Sequence, residues 1–186
     1  MYDCAILHGS FGDPFGNWSP WLFRKLSEGG SRVLVPHLPG PQEQNFQNWS
    51  KIMDAYGDAV GSETDLIAHS LAPAFLASWI ITRRKNVRNL YLVAPFYGLI
   101  NIPEFDAINR SFFLSEVSLP ALTRYAREIH CVYSDDDPYV PRSMSDDFAA
   151  KVGAHTTVVN KGKHLNESAG FVEFPLLLKL VNDGRP

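Results

Sequence analysis

The chain has 186 residues, is 45% hydrophobic and 20% charged, and carries a formal net charge of −3, which suits one globular domain over 1–186 and offers no basic surface for nucleic acid or an anionic membrane. Its two cysteines, Cys4 and Cys131, lie inside apolar runs, which excludes a disulfide framework and fits buried, reduced thiols. With no apolar run of membrane-spanning length and no signal-like start in "MYDCAILHGS", a soluble, cytoplasmic protein is expected.

Short apolar runs bounded by turn residues predict six strands: 4–7 (CAIL), 32–35 (RVLV), 65–68 (DLIA), 90–94 (LYLVA), 129–133 (IHCVY) and 156–159 (TTVV). Their near-continuous apolarity is that of strands buried on both faces. Between the first two, Ser19-Pro20 reads as an N-cap followed by proline at the first helical position, with Trp18 and Phe23 spaced for a hydrophobic staple. In 45–60, Trp49, Ile52, Met53, Tyr56 and Val60 fall on one helical face. Further helices are expected over 71 to about 84, over 143–152, and over about 167–182, where Pro175 marks either a kink or the true start. The segment 95–120, rich in aromatics and without clean periodicity, is either a cap over a site or the host of an unrecognised helix. Strand and helix in alternation imply right-handed βαβ units, hence an α/β protein: a three-layer α/β/α sandwich on a mostly parallel six-stranded sheet.

The functional signal begins at "DLIAHSLAPAF" (65–75), which fits strand, corner, helix with Ser70 at the corner. Ala68 and Ala72 stand where a G-x-S-x-G nucleophile elbow has glycines; the need there is for small side chains, because the tight turn brings backbone close. This pattern alone is close to chance, and Ser70 could equally cap the helix that follows. A serine nucleophile needs a base, and the base an orienting carboxylate, on loops after later strands. "SDDDPYVP" supplies the acid after the fifth strand: Asp137, which Pro138 holds extended, with Asp136 as the alternative. His164, in "GKHLN", supplies the base after the sixth. Backbone N–H groups to hold an oxyanion are expected at Leu71, which opens the helix after Ser70, and at Ser10 or Phe11 in the "HGSFG" loop after the first strand. No clustered His or Cys ligands call for a metal, and the absence of G-x-x-x-x-G-K-[ST] and G-x-G-x-x-G gives no cofactor to expect.

With these residues, "HGSFGDPFGNWSPWL", "RVLVPHLPGP", "NWSKIM", "HSLAPAFL", "SDDDPYVP" and "GKHLNE" together resemble the retinoblastoma-binding protein 9 / YdeN family of small serine hydrolases, over nearly the whole chain. The resemblance implies a compact α/β-hydrolase fold and places Ser70, Asp137 and His164 at the triad positions, the D-P-x-V-P form pointing to Asp137. It departs from the family's commoner GHSxG in reading "AHSLA". The expected activity is hydrolysis of a small-molecule ester or amide, carboxylesterase-like or amidase-like, through an acyl-enzyme. A non-catalytic binding module on the same fold and an acyltransferase are the competing readings. His8, Gly9, Phe11, Phe15, Trp18, His69, Phe96, Phe112 and Phe113 are the expected lining of the substrate pocket. Retinoblastoma protein is not expected as a partner, because the chain has no Leu-x-Cys-x-Glu segment.

Overall fold

The computed structural model describes residues 1–185. Six parallel strands, β1 (Cys4–Leu7), β2 (Val33–Leu34), β3 (Asp65–His69), β4 (Val87–Val93), β5 (Ala126–Ser134) and β6 (His155–Val159), form one sheet in the order β2-β1-β3-β4-β5-β6. The chain leaves β1 for β2 on one side and returns to β3 on the other. The C-terminal ends of β1 and β3 therefore flank the point where strand order reverses, the usual place for a site in such sheets.

Period-two alternation divides the core between the two faces of the sheet. Cys4 and Ile6 face one way, with Ile67, Tyr91, Val93 and Val132, and meet α1 (Ser19–Glu28) and α6 (Pro175–Asp183) through Leu22, Leu26, Leu177 and Val181. Ala5 and Leu7 face the other way, with Leu66, Ala68, Leu90 and Leu92. They meet α2 (Phe46–Ala55), α3 (Ala72–Arg83) and α5 (Arg142–Lys151) through Trp49, Met53, Phe75, Leu76 and Phe148. Helix α3 is buried without a break from Ala72 through Ile80. A helix apolar all round needs cover on every side, and α2 with the 95–124 segment provides what the sheet does not.

The segment 95–120 holds a short helix, α4 (Pro103–Asn109), followed by 3₁₀ turns at Arg110–Phe112 and Leu119–Arg124. Pro175 is the true start of the last helix; a separate 3₁₀ turn occupies Glu167–Ala169. Two expected devices at α1 are absent. Ser19 lies inside the helix rather than at its cap, and Trp18 does not staple to Phe23, which is 42% exposed. Trp18 turns inward instead, edge-on to His69 and Phe174, where a large ring excludes more water than a staple could.

At the opposite end of the sheet from the strand C-termini, Asp65 is fully buried and bonded by the guanidinium of Arg88 (Nε to Oδ1, 2.8 Å), with Arg185 beside it (3.3 Å). Removing one partner of a buried pair leaves a desolvated charge behind. Arg88→Ala should therefore lower stability by about 3 kcal/mol, read from urea unfolding.

Candidate active site

Strand β3 ends at His69, helix α3 begins at Ala72, and between them Ser70 adopts a left-handed backbone, φ 62°. The Ser70 N–H donates to the Val93 carbonyl at the end of β4 (2.9 Å), pinning the corner to the neighbouring strand. Leu71, not Ser70, occupies the helix N-cap position, so the serine side chain is not spent on capping. Ala68 and Ala72, both fully buried, permit the corner without glycine. The glycine that the corner does require is Gly9. A Cβ there would lie 2.7 Å from Ser70 Cβ and 2.9 Å from the His69 carbonyl oxygen. Gly9→Ala should accordingly push the two loops apart, lowering both the unfolding midpoint and any reactivity of Ser70.

The Ser70 hydroxyl donates to His164 Nε2 (3.0 Å), and His164 Nδ1–H donates to Asp137 Oδ2 (2.7 Å). The carboxylate on one side fixes the tautomer, because the nitrogen facing it must carry the proton and the other is left as acceptor. Asp137 is held in turn by the Tyr139 and Val140 N–H groups, which both donate to Oδ1 (2.9 and 3.0 Å). The other two aspartates of the triple bind the same loop at different points. Asp135 accepts from the Asn160 side chain and the Lys161 N–H, and Asp136 from the Lys163 N–H (2.7 Å) and the Ser134 hydroxyl. Asp136, the alternative acid, is thus taken up by the loop and does not reach the imidazole. The Ser134 hydroxyl bond and the Lys163 N–H hold its carboxyl below the usual range.

His69 and Trp18 secure the loop from beneath. His69 Nε2–H donates to the His164 carbonyl (2.9 Å) and Trp18 Nε1–H to the Leu165 carbonyl (3.0 Å), across a stretch in which Lys161, Lys163 and Leu165 all have positive φ. Burial first, and the neighbouring His164 second, push His69 down to about 3, so its ring is neutral and the proton on Nε2 is available to the carbonyl. Burial also lowers His8, whose Nε2 accepts from the Leu38 N–H (3.1 Å).

Around Ser70 lies a cavity of about 190 Å³. Its wall includes Gly9, Phe11, His69 and Phe96, as expected from sequence, together with Ile100, Phe105, Tyr139 and Val140. It excludes the other expected lining residues. Phe15 points into solvent, 84% exposed; Trp18 and His8 are buried below the site; Phe112 packs against Trp49 in the core; and Phe113 lies tilted against Phe96 and edge-on to Tyr97. Large rings gain most by closing the seam between helix and sheet, and composition alone does not say which will do so. Of the residues missed, Tyr139 and Val140 carried a signal, inside the D-P-x-V-P segment that begins at Asp137; the Tyr139 ring lies edge-on to His164 (5.1 Å). The N–H groups of Ser10 and Leu71 have no protein acceptor among the described residues, whereas the Phe11 N–H donates to Gln44 Oε1 (3.2 Å). Phe11 is therefore not the free donor. Among the described residues no group of three or more His, Cys, Asp or Glu side chains could hold a metal ion, and no helix is long and apolar enough to cross a membrane.

The family model described as "Serine hydrolase" matches residues 4–183. The chain belongs to that family. This serine hydrolase is 25% identical over 178 residues to YdeN of Bacillus subtilis (strain 168), covering 95% of this chain and 92% of that protein. The crystal structure of the B. subtilis ydeN gene product matches with a TM-score of 0.89 at 23% identity, over 99% of this chain and 98% of the other. Est1E from Butyrivibrio proteoclasticus matches at 0.73 and 16% identity, over 97% and 85%. These similarities place the serine hydrolase in the α/β-hydrolase fold.

Acid should weaken this arrangement in a definite direction. Unfolded, His69 takes up a proton near its ordinary pKa of about 6.5, whereas the folded ring stays neutral down to about 3. The unfolded chain thus binds more protons across that interval, and stability falls as pH drops below about 6.5. The urea midpoint should decline from about pH 7 to 5, and His69→Gln, which keeps a donor but does not titrate, should flatten that decline.

Proposed function

We propose that this serine hydrolase cleaves a small ester or amide with Ser70 as nucleophile, His164 as general base and acid, and Asp137 as the group that orients and stabilises the imidazole. The observation that carries this reading is the unbroken hydrogen-bonded chain from Ser70 through His164 to Asp137, with the N–H groups of Ser10 and Leu71, which have no acceptor among the described residues, on the loops that meet at the hydroxyl.

The residues divide the reaction into two balanced steps. His164 Nε2 removes the Ser70 proton as the oxygen attacks the carbonyl carbon, and the carbonyl π electrons move onto its oxygen. That oxyanion is held by the N–H groups of Ser10 and Leu71, the latter at the start of α3 where the helix dipole adds positive potential. The tetrahedral intermediate collapses, the C–O or C–N bond to the leaving group breaks, and His164 returns the proton to the departing atom. The acyl group now sits on Ser70. Water, deprotonated by the same nitrogen, attacks the acyl carbon, and the acid leaves as Ser70 recovers its proton. Asp137 stays ionised throughout and stabilises the imidazolium that forms twice.

The cavity's size favours short acyl and leaving groups. The test is covalent labelling with a fluorophosphonate probe, followed by p-nitrophenyl butyrate turnover. Wild type should label and turn over; Ser70→Ala should do neither; Asp137→Asn should lower kcat by about 10⁴ through the wrong imidazole tautomer. A folded wild-type protein that resists the probe would overturn the proposal and favour a binding module on a hydrolase fold.

A further inference from the structure

Three asparagines, Asn17, Asn109 and Asn166, line the cavity beside Ser70. An amide side chain offers one acceptor oxygen and one NH₂ donor, and partners of fixed polarity settle which end faces where. The Glu167 N–H donates to Asn17 Oδ1 (2.9 Å), and the Ala169 N–H to Asn166 Oδ1 (3.2 Å) beside the Ser168 hydroxyl (2.8 Å). A backbone N–H can only donate, so the oxygen is the committed end of both side chains.

Asn109 is oriented by a relay. The Phe11 N–H donates to Gln44 Oε1, which leaves Gln44 Nε2 to donate to Asn109 Oδ1 (2.7 Å), and the Ser10 hydroxyl donates to the same oxygen (2.8 Å). None of the three Nδ2 groups has an acceptor among the described residues. Asn109 is also buried, 2% exposed, and it forms part of the cavity wall. The lining contains no Asp, Glu, Lys or Arg. Its apolar wall is made by Phe96, Ile100, Phe105 and Val140.

We infer that the cavity selects uncharged, oxygen-rich substrates: esters or amides whose flanking groups carry ether, carbonyl or hydroxyl oxygens that accept from Asn17, Asn109 and Asn166. This rests on the hydrolase reading above. A hydrocarbon chain of equal length strips water from these donors and gives nothing back, so it is discriminated against. An anionic chain meets no cation to offset its desolvation.

Isosteric ester pairs test this. On the acyl side, p-nitrophenyl methoxyacetate is compared with p-nitrophenyl butyrate; on the alcohol side, 2-ethoxyethyl acetate with pentyl acetate. Each kcat/KM is divided by the ester's own hydroxide-catalysed rate, and mono-p-nitrophenyl succinate tests charge. The ether should be favoured by about tenfold in at least one pair, with the succinate ester no better than butyrate. Asn→Asp at each of the three positions keeps Oδ1 for its existing donors and replaces the free donor by an acceptor. At the position that meets the ether, the preference should fall to about unity. The ratio cancels any effect of the added charge on the chemistry common to both esters.

If wild type turns over the hydrocarbon esters as well as the ethers, or prefers succinate, the inference is overturned while the hydrolase reading stands. If the ether preference survives all three substitutions, the asparagines do not carry it and the inference is likewise overturned. If no ester reacts and the fluorophosphonate leaves Ser70 unlabelled, the hydrolase reading fails and takes the inference with it.

Discussion

The left-handed backbone at Ser70 is the constraint on which the rest of the site is built. A non-glycine residue at φ 62° costs on the order of 1–3 kcal/mol, and it persists only where the surroundings leave the chain no alternative. Here β3 is locked between β1 and β4, and α3 is locked by apolar contact on every side, so the turn between them has fixed ends. The N–H bond from Ser70 to Val93 removes the remaining freedom. The consequence is a hydroxyl held above the sheet edge, with the first helical N–H groups beside it and the β1 loop close enough that only glycine fits at position 9. Alanine on either side of the serine is compatible with this because the crowding is between the corner and Gly9. It is not within the corner itself.

The histidine reaches that hydroxyl on a loop that has no regular structure of its own. Its shape is imposed from two directions. From the β5 side, Asp135 and Asp136 accept from Asn160, Lys161 and Lys163, and the Gly162 N–H donates to the Ser134 hydroxyl (2.9 Å). From beneath, His69 and Trp18 donate to the consecutive carbonyls of His164 and Leu165. Backbone groups that a strand or helix would satisfy are satisfied here by side chains, which explains how three positive-φ residues survive within 161–165. His69 is therefore tied to two tasks at once, as the last residue of the strand that leads into Ser70 and as a donor to the loop that carries His164. Its neutrality in the fold follows from burial and is what the second task requires.

The topology and the polar core of this site were readable from the sequence because each rests on local chemistry. Apolar runs of four or five residues gave the six strands, and small-x-Ser-x-small, Asp-Pro and Gly-x-His fell after the strands that a sheet of this order brings to one edge. Strand β2, at one edge of the sheet, was read as four residues and forms two. The cavity wall was not readable. Phe105 and Phe112 sit seven residues apart in the same aperiodic segment, yet one lines the cavity and the other fills the core beside Trp49. Which ring goes where depends on the path of a segment whose own sequence shows no period. The polarity of the three asparagines was equally hidden, because it is set by donors as distant as Glu167 is from Asn17.

The segment over the site is not an independent lid. Asn109 ends α4, and its oxygen receives the Ser10 hydroxyl from the β1 loop and the Gln44 amide from the loop before α2, while Gln44 in turn receives the Phe11 N–H. Phe105, one turn earlier, lies edge-on to Phe11 (5.1 Å) and tilted against Tyr139 (6.0 Å), the residue whose N–H supports Asp137. Swinging α4 away would break buried polar bonds to the loop that supplies the Ser10 N–H, and strip aromatic cover from the carboxylate side of His164. The energetic coupling runs both ways, since anything that disturbs the β1 loop also loosens α4 through the same bonds. Phe11, Phe105, Asn109 and Tyr139 all contribute to the cavity wall, so α4 and the β1 loop bound the space beside Ser70 as one connected unit.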